Sequence, residues 1–173
     1  MSSAWGPGSV NEQELVRLMD TYGNMLLSLS RMMLLDYHLA QDAVQDTFIK
    51  AFKHMDQLQQ LHNEKAWLIR ITMNTCRDML RTAWFRHVAK SVDILELPDI
   101  AAPQEEEADS GILEEVRRLP SKEREVLLLY YWQDMNPDEI ASVLSINRAT
   151  VYRRLERARQ KLKLNLEGRQ LHD

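Results

Sequence analysis

The stretch EIASVLSINRATVYRRLERARQKL, residues 139–162, decides how the C-terminal part of the chain folds. Apolar residues recur at helical spacing on both sides of a short break, SIN (145–147), which predicts a short helix, a tight turn and a longer helix. Asn136 and Glu139 form a capping-box pattern before the first helix, and Asn147 stands where it can cap the second. This order of elements is typical of a helix-turn-helix.

The second helix of this pair is rich in basic residues. Val151 and Leu155 are expected to pack on the first helix and to leave the opposite surface free. That surface is expected to carry Arg148, Arg153, Arg154, Arg157 and Arg159, with Lys161 and Lys163 beyond them. A guanidinium binds phosphate, or guanine bidentately in the major groove. A solvated basic helix would explain the arginines alone, but together with the helix order they indicate DNA binding.

Residues 11–90 have the pattern of a small helical bundle. The first helix is predicted to begin at Asn11, which precedes a glutamate by three residues. Two further helices are predicted over about 39–58 and 66–83, where apolar residues recur every three or four positions. The chain has only five Gly and five Pro, which argues against a protein of many tight β-hairpins.

An acidic segment separates the two helical parts. Residues 91–115 hold nine acidic residues and no Lys or Arg, and two prolines interrupt any long helix there. The predicted fold class is therefore all-α, with two small helical domains joined by an acidic flexible linker. The predicted boundaries are a flexible tail over 1–10, a helical domain over 11–90, the linker over 91–111 and a second helical domain over 112–173.

The net charge of −4 does not exclude a nucleic-acid partner. Residues 116–173 contain twelve basic and eight acidic residues, so the acidic segment hides a cationic domain. No apolar run approaches the roughly 18 residues that span a membrane, and the first residues do not form a signal peptide. We therefore expect a cytoplasmic protein without membrane insertion.

No pattern of catalytic residues is present. The five histidines are scattered, without an HExxH pair, and there is no phosphate-binding glycine loop. Asp42 and Asp46 lie one turn apart, but a solvated or partner-facing helix edge explains them better than acid–base chemistry. Cys76 is the only cysteine and is expected to be a small buried residue. We expect no enzyme, no cofactor and no metal site.

The segment WLIRITMNTCRDMLR (67–81) combines aromatic and basic residues on one predicted helix. Trp67, with Asn74 and Arg77 further along, could stack on unpaired bases and hold their phosphates. A tryptophan at the start of an amphipathic helix is more often part of the core. Spacing alone leaves both interpretations open.

Three segments together resemble the extracytoplasmic-function (ECF) sigma factors, a group within the sigma-70 family of bacterial RNA polymerase sigma factors. HLAQDAVQDTFIKAF (38–52) is similar to the polymerase-binding helix of that family. AWLIRITMNTCRDMLR (66–81) resembles its segment that meets the minus-ten promoter element. Residues 119–162 resemble its helix-turn-helix region almost throughout.

The resemblance implies a subunit that directs core RNA polymerase to promoters and helps to melt them, without being an enzyme itself. The partners implied are core RNA polymerase, promoter DNA and an anti-sigma factor, and the implied role is a stress or envelope response. Core polymerase would be bound by Asp42, Gln45, Asp46 and Phe48. The minus-ten element would be bound by His62, Asn63, Glu64, Lys65, Trp67, Asn74, Arg77 and Arg81. The minus-thirty-five element would be bound by Arg124, Arg148, Thr150, Tyr152, Arg153, Arg154 and Arg157.

Three residues depart from the usual pattern. Ser145 occupies the turn position where many helix-turn-helix proteins have glycine, Glu156 should repel phosphate, and Tyr152 stands where the family often has a small or basic residue. The alternative interpretation is a helix-turn-helix transcriptional regulator whose N-terminal half senses a ligand or dimerises. Binding to purified core polymerase separates the two.

Overall fold

The structure, a computed structural model, describes residues 9–90 and 111–170, and within these ranges every regular element is an α-helix. The all-α class predicted from sequence is confirmed. The helices are α1 (Val10–Leu34), α2 (Tyr37–Lys53), α3 (Met55–Leu58), α4 (Glu64–Lys90), α5 (Gly111–Arg118), α6 (Ser121–Tyr131), α7 (Pro137–Leu144) and α8 (Arg148–Gln170). They form two compact units, Met1–Arg86 and His87–Asp173. Most of the predicted linker lies outside the described residues, as do residues 1–8 and 171–173.

The first unit is built around the pairing of α1 and α2. Its buried side chains are Leu18, Leu26, Leu29, Met33, Ala40, Ala43, Phe48, Ala51, Leu68, Ile69, Met73 and Cys76. Cys76 is fully buried, as expected for a small apolar side chain. The buried hydroxyl of Thr47 lies 3.2 Å from that of Thr72, which joins α2 to α4. Lys50 Nζ donates to Thr75 Oγ1 at 2.9 Å between the same helices. The first half of the chain is thus a helical bundle, as its periodicity indicates.

Two helix ends in this unit differ from the sequence predictions. Ser9, not Asn11, caps α1, because its hydroxyl accepts from the Glu12 N–H while the Glu12 carboxylate accepts from the Ser9 N–H. The helix predicted over 39–58 ends at Lys53 and resumes as α3 after His54, whose backbone leaves the helical region. The first prediction was wrong because Ser9 and Asn11 are equally suited to cap a helix, and the second because apolar spacing continues across His54, where the helical backbone is interrupted.

Helix α4 is longer than the 66–83 predicted. It begins at Glu64, because Asn63 caps it: Asn63 Oδ1 accepts from the Ala66 N–H at 3.0 Å, and its carbonyl accepts from the Trp67 N–H at 3.2 Å. The predicted minus-ten residues from Glu64 to Arg81 therefore lie on a single helix.

The second unit surrounds α6, whose residues Glu123–Leu129 are all buried. Helices α5, α7 and α8 pack on it or on one another, with Val116, Ile140, Val143, Leu144, Val151, Leu155 and Ala158 in the core. The sequence predicted that Ser121 caps α6, and this prediction was wrong. It is the first residue of the helix, and Pro120 takes the cap position without a side-chain bond.

The turn between α7 and α8 follows the prediction closely. Asn136 and Glu139 form the predicted capping box of α7, and Asn147 Oδ1 accepts from the Thr150 N–H at 2.7 Å to cap α8. Ser145 adopts the left-handed conformation, with φ 53°. The Ile146 N–H then donates to the Ala141 carbonyl at 3.0 Å and closes α7 as a glycine would. Serine therefore preserves the tight turn.

Candidate polymerase and nucleic-acid interfaces

One exposed stripe runs along α2. Leu39, Asp42, Asp46 and Ile49 recur at helical spacing and all are exposed, with Gln45 beside them. Phe48, also predicted at or behind the polymerase-binding surface, is 5% exposed and lies in the core beneath the stripe. The stripe, hereafter the α2 stripe, joins two carboxylates to two apolar side chains. Such a surface suits a partner with basic groups opposite the two carboxylates and apolar groups opposite Leu39 and Ile49.

A second surface runs along α4. Trp67, Asn74 and Arg81 are seven residues apart and so lie on one face of the helix. Trp67 is half-buried, so its ring both packs against the protein and presents a surface to solvent. Asn74 and Arg81 are exposed. Arg81 donates to Asp78 at 2.6 Å, and Arg77 is half-buried one turn away. His62 and Asn63 are exposed at the N-terminal end of this surface, with Lys65 half-buried beside them.

Glu64, which is predicted to bind the minus-ten element, accepts hydrogen bonds from two residues of α1. Its two carboxylate oxygens accept from Arg17 Nη1 at 3.1 Å and Nη2 at 2.6 Å, and Oε1 also accepts from the Tyr22 hydroxyl at 2.7 Å. The bonds from Arg17 keep the pKa of Glu64 below its ordinary value. Sequence reasoning missed Arg17 and Tyr22, because nothing local links them to a residue more than 40 positions away.

The exposed side of α8 carries fewer cations than predicted. Arg148, Arg153 and Arg157 are exposed, and Tyr152 is 48% exposed among them. Arg148 donates to the Tyr152 hydroxyl at 3.2 Å and lies 5.5 Å from the centre of its ring. That hydrogen bond, with the nearby Asp138 carboxylate, raises the pKa of Arg148. Thr150, half-buried, accepts from Arg153 at 3.3 Å.

Three other cations of α8 contact residues of α6. Arg154 lies 3.9 Å from the buried carboxylate of Glu125 and is only 17% exposed. Arg159 Nε donates to the Tyr131 hydroxyl at 3.0 Å, which raises the pKa of Arg159. Lys161 lies 3.3 Å from Glu123. The expectation that Arg154 lies on the free surface was wrong, because a half-buried position beside a helix core can hold a cation when a carboxylate meets it. Arg159 and Lys163 are exposed, as expected.

Arg124 also departs from its predicted role as a phosphate contact. It is 5% exposed, and its Nη1 donates to the carbonyls of Arg117 at 2.8 Å and Leu119 at 2.9 Å. Burial lowers the pKa of Arg124, an effect that the nearby Glu125 carboxylate opposes. In this geometry the guanidinium joins the end of α5 to α6 and is withdrawn from solvent.

A groove of about 760 Å³ lies between α5, α6 and the C-terminal half of α8. Its walls are mainly apolar and include Ile112, Leu127, Trp132, Leu162 and Leu166. Sequence reasoning missed it, since its lining comes from three helices that each show an ordinary apolar face. Within residues 9–90 and 111–170, no three His, Cys, Asp or Glu side chains meet as metal ligands. No helix of these ranges is long and apolar enough to cross a membrane.

Comparison with protein families identifies both units. The sigma-70 region 2 family matches residues 18–86, and the sigma-70 region 4 family matches residues 111–162. The chain belongs to the sigma-70 family of RNA polymerase sigma factors, in its extracytoplasmic-function group. It is a sigma factor, which removes the alternative of a regulator with a sensing domain.

Individual relatives agree with this placement. The RNA polymerase sigma-E factor of Streptomyces avermitilis is 31% identical over 163 residues, which cover 92% of this chain and 87% of that one. The probable sigma factor RfaY of Xanthomonas campestris is 30% identical over 86% of this chain, but the match spans only 39% of RfaY. Among solved structures, the sigma factor RpoE in complex with the anti-sigma factor NepR from Bartonella quintana has the same fold. Its TM-score is 0.70 at 23% identity, with 90% of this chain and 96% of that chain covered.

Proposed function

We propose that this sigma factor binds core RNA polymerase through the α2 stripe and directs it to promoters through α4 and α8. The observation that carries the proposal is the division of α8: Val151 and Leu155 are buried, while Arg148, Arg153 and Arg157 are exposed. A helix-turn-helix with this division can enter the major groove and meet phosphates and base edges at once. The polymerase performs the catalysis, and the chain itself acts without cofactor or metal, in the cytoplasm where the polymerase is.

The α2 stripe is the proposed polymerase contact. Asp42 and Asp46 supply charge for a basic partner, and Leu39 and Ile49 supply apolar area beside it. The double variant Asp42→Ala/Asp46→Ala should weaken binding to purified core polymerase by about tenfold or more, since charge pairs at protein interfaces contribute a few kcal/mol. Asp56→Ala, an exposed carboxylate on α3, is the matched control. Equal affinity of both variants would refute this contact.

The surface along α4 is the proposed minus-ten contact. A base flipped from the opened duplex must be held by stacking and hydrogen bonds that offset a few kcal/mol of unstacking. Trp67 provides a ring at the start of α4, and Asn74 and Arg81 provide polar groups further along the same face. Trp67→Ala should slow promoter opening while leaving binding to core polymerase unchanged. Opening at the normal rate by a folded variant would contradict the assignment.

In vitro transcription tests the function as a whole. The chain, added to core polymerase on genomic DNA, should produce transcripts whose mapped starts share one pair of upstream elements. No transcript above that of core polymerase alone would reject the proposal. The same start sites would show whether the target genes belong to a stress or envelope response, which we propose from the family.

An anti-sigma factor is the proposed regulatory partner, because the similar sigma factor RpoE was crystallised in complex with one. The apolar groove of the second unit supports a protein partner there, since Trp132 and Ile112 stay exposed at its edge. A candidate anti-sigma factor encoded by a neighbouring gene can be co-expressed with this chain. Its binding to the chain and its effect on in vitro transcription are then measured. A candidate that binds without reducing transcription would not be an anti-sigma factor.

A further inference from the structure

A cluster of polar side chains joins α1 to the first residue of α4. Arg17 donates to both oxygens of Glu64, and also to Glu14 Oε1 from Nη2 at 2.6 Å and from Nε at 3.0 Å. Tyr22 donates to Glu64 from the next turn of α1. Glu64 therefore accepts three hydrogen bonds from one helix, a geometry that fixes its position as well as its charge.

This cluster stands directly beside the proposed minus-ten surface. Glu64 follows the capping residue Asn63, and Trp67 comes one turn later, with its N–H bonded to the Asn63 carbonyl. The first turn of α4 thus carries the loop residues His62 and Asn63 at one end and the stacking ring of Trp67 at the other. A displacement of this turn would move all of them together.

The hydrogen bonds of the cluster also set the ionisation of its members. Arg17 donates to Glu64 and to Glu14, and these bonds raise the pKa of Arg17. Burial and the bond to Glu64 raise the pKa of Tyr22, so its hydroxyl stays a donor.

We propose that Arg17 and Tyr22 are positioning residues for promoter melting: through Glu64 they hold the first turn of α4 so that Trp67 and the preceding loop can accept the flipped base. This inference rests on the proposed minus-ten surface and adds to it two residues of α1 that need not touch DNA. Pre-positioning lowers the barrier to opening because the receiving pocket does not have to be ordered as the base leaves the stack.

Promoter opening by the reconstituted holoenzyme tests the proposal. The rate of opening is followed by 2-aminopurine fluorescence on a duplex promoter, and transcription is measured in parallel on a promoter whose minus-ten region is already opened by mismatches. Arg17→Ala should slow opening of the duplex about three- to tenfold. Tyr22→Phe, which removes one hydroxyl, should slow it about twofold or threefold. On the pre-opened promoter both variants should transcribe within about twofold of the original chain.

A double-variant comparison shows whether the residues act through Glu64. Glu64→Ala should slow opening about as much as Arg17→Ala, and the double variant should be no slower than either, since all three remove the same contact. Asp20→Ala, an exposed carboxylate one turn along α1, should open the promoter at the original rate. Arg17→Lys keeps the charge without the fork, so its rate should fall between those of Arg17→Ala and the original chain.

The outcomes separate this inference from the function it rests on. Equal losses on duplex and pre-opened promoters would mean that the cluster only stabilises the fold, and would overturn the proposal. Normal opening by Arg17→Ala and Tyr22→Phe, while Trp67→Ala is slow, would overturn the positioning role alone. Normal opening by Trp67→Ala would overturn the minus-ten surface and the positioning role together.

Discussion

The guanidinium of Arg154 lies 3.9 Å from the carboxylate of Glu125, on the side of α8 that packs against α6. Its neighbour Arg153, turned about 100° around the helix, is exposed and donates to Thr150 of the same helix. Two consecutive arginines of α8 thus have different surroundings, one at the packed interface with α6 and the other in solvent. Arg154 joins the interior of the second unit, and Arg153 is directed at the proposed DNA partner.

This division predicts opposite effects of two alanine variants. Arg153→Ala should weaken binding to a minus-thirty-five duplex by about 1–3 kcal/mol, the range of a lost bidentate base contact, without changing thermal stability. Arg154→Ala should instead lower the free energy of unfolding by about 1–3 kcal/mol, because it removes a cation from a buried carboxylate. Thermal denaturation and duplex titration, measured on both variants, check this. Equal behaviour of the two would contradict the division.

Arg124 provides a second prediction. Because its guanidinium donates to two carbonyls at the end of α5, Arg124→Ala should reduce stability by about 2 kcal/mol or more. Arg124→Lys should recover only part of that loss, since one ammonium group cannot reproduce the planar fork. Far below the unfolding temperature, both variants should bind the minus-thirty-five duplex as the original chain does. A loss of DNA affinity in the folded Arg124→Lys variant would instead support the DNA contact predicted from sequence.

Glu64 provides a prediction about pH. Its pKa in the folded chain is below the ordinary value of 4.5, chiefly because Arg17 donates to it, so folding favours the charged carboxylate. The resulting stabilisation, about 1 kcal/mol for a partly exposed pair, is present above pH 4.5 and is lost as the pH falls through the folded pKa. Glu64→Gln should therefore be less stable than the original chain at pH 7, and the difference should shrink as the pH falls to about 3. A difference that does not change with pH would contradict this mechanism.

Ser145 predicts a stabilising substitution. A residue other than glycine in the left-handed region costs roughly 1 kcal/mol, and Ser145 has φ 53° and ψ 44°. Ser145→Gly should therefore raise the free energy of unfolding by up to about 1 kcal/mol and leave the turn unchanged. Chemical denaturation measures this. Asn147→Gly is a useful contrast, because it removes the cap of α8 and should not stabilise the unit.

Much of the fold follows from the sequence for local reasons. The capping box of Asn136 and Glu139, the cap at Asn147 and the apolar periodicity of α1 each arise within one or two helical turns, so a reader of the sequence can find them. The errors at Ser9 and His54 are also local: two equally good caps stand near each other, and apolar spacing conceals a break in the backbone.

The site was less predictable, because its details depend on contacts between distant segments. Nothing in the sequence around Arg154 distinguishes it from Arg153, and only the position of Glu125 on another helix does so. The same holds for Arg17, whose partner Glu64 lies 47 residues away. Family resemblance places residues along a helix, but the side of the helix that faces DNA is decided by packing.

The contacts of Arg154, Arg159 and Lys161 with α6 have a consequence for the salt dependence of DNA binding. DNA affinity falls with the logarithm of salt concentration at about 0.9 per phosphate neutralised, as condensed counterions are released. The four cations of α8 that do not contact α6, which are Arg148, Arg153, Arg157 and Lys163, would give a slope of about −3.6, whereas seven would give about −6. Doubling the salt would then reduce affinity about twelvefold instead of about eightyfold. A promoter-binding protein with few free cations therefore loses less DNA affinity as the ionic strength rises.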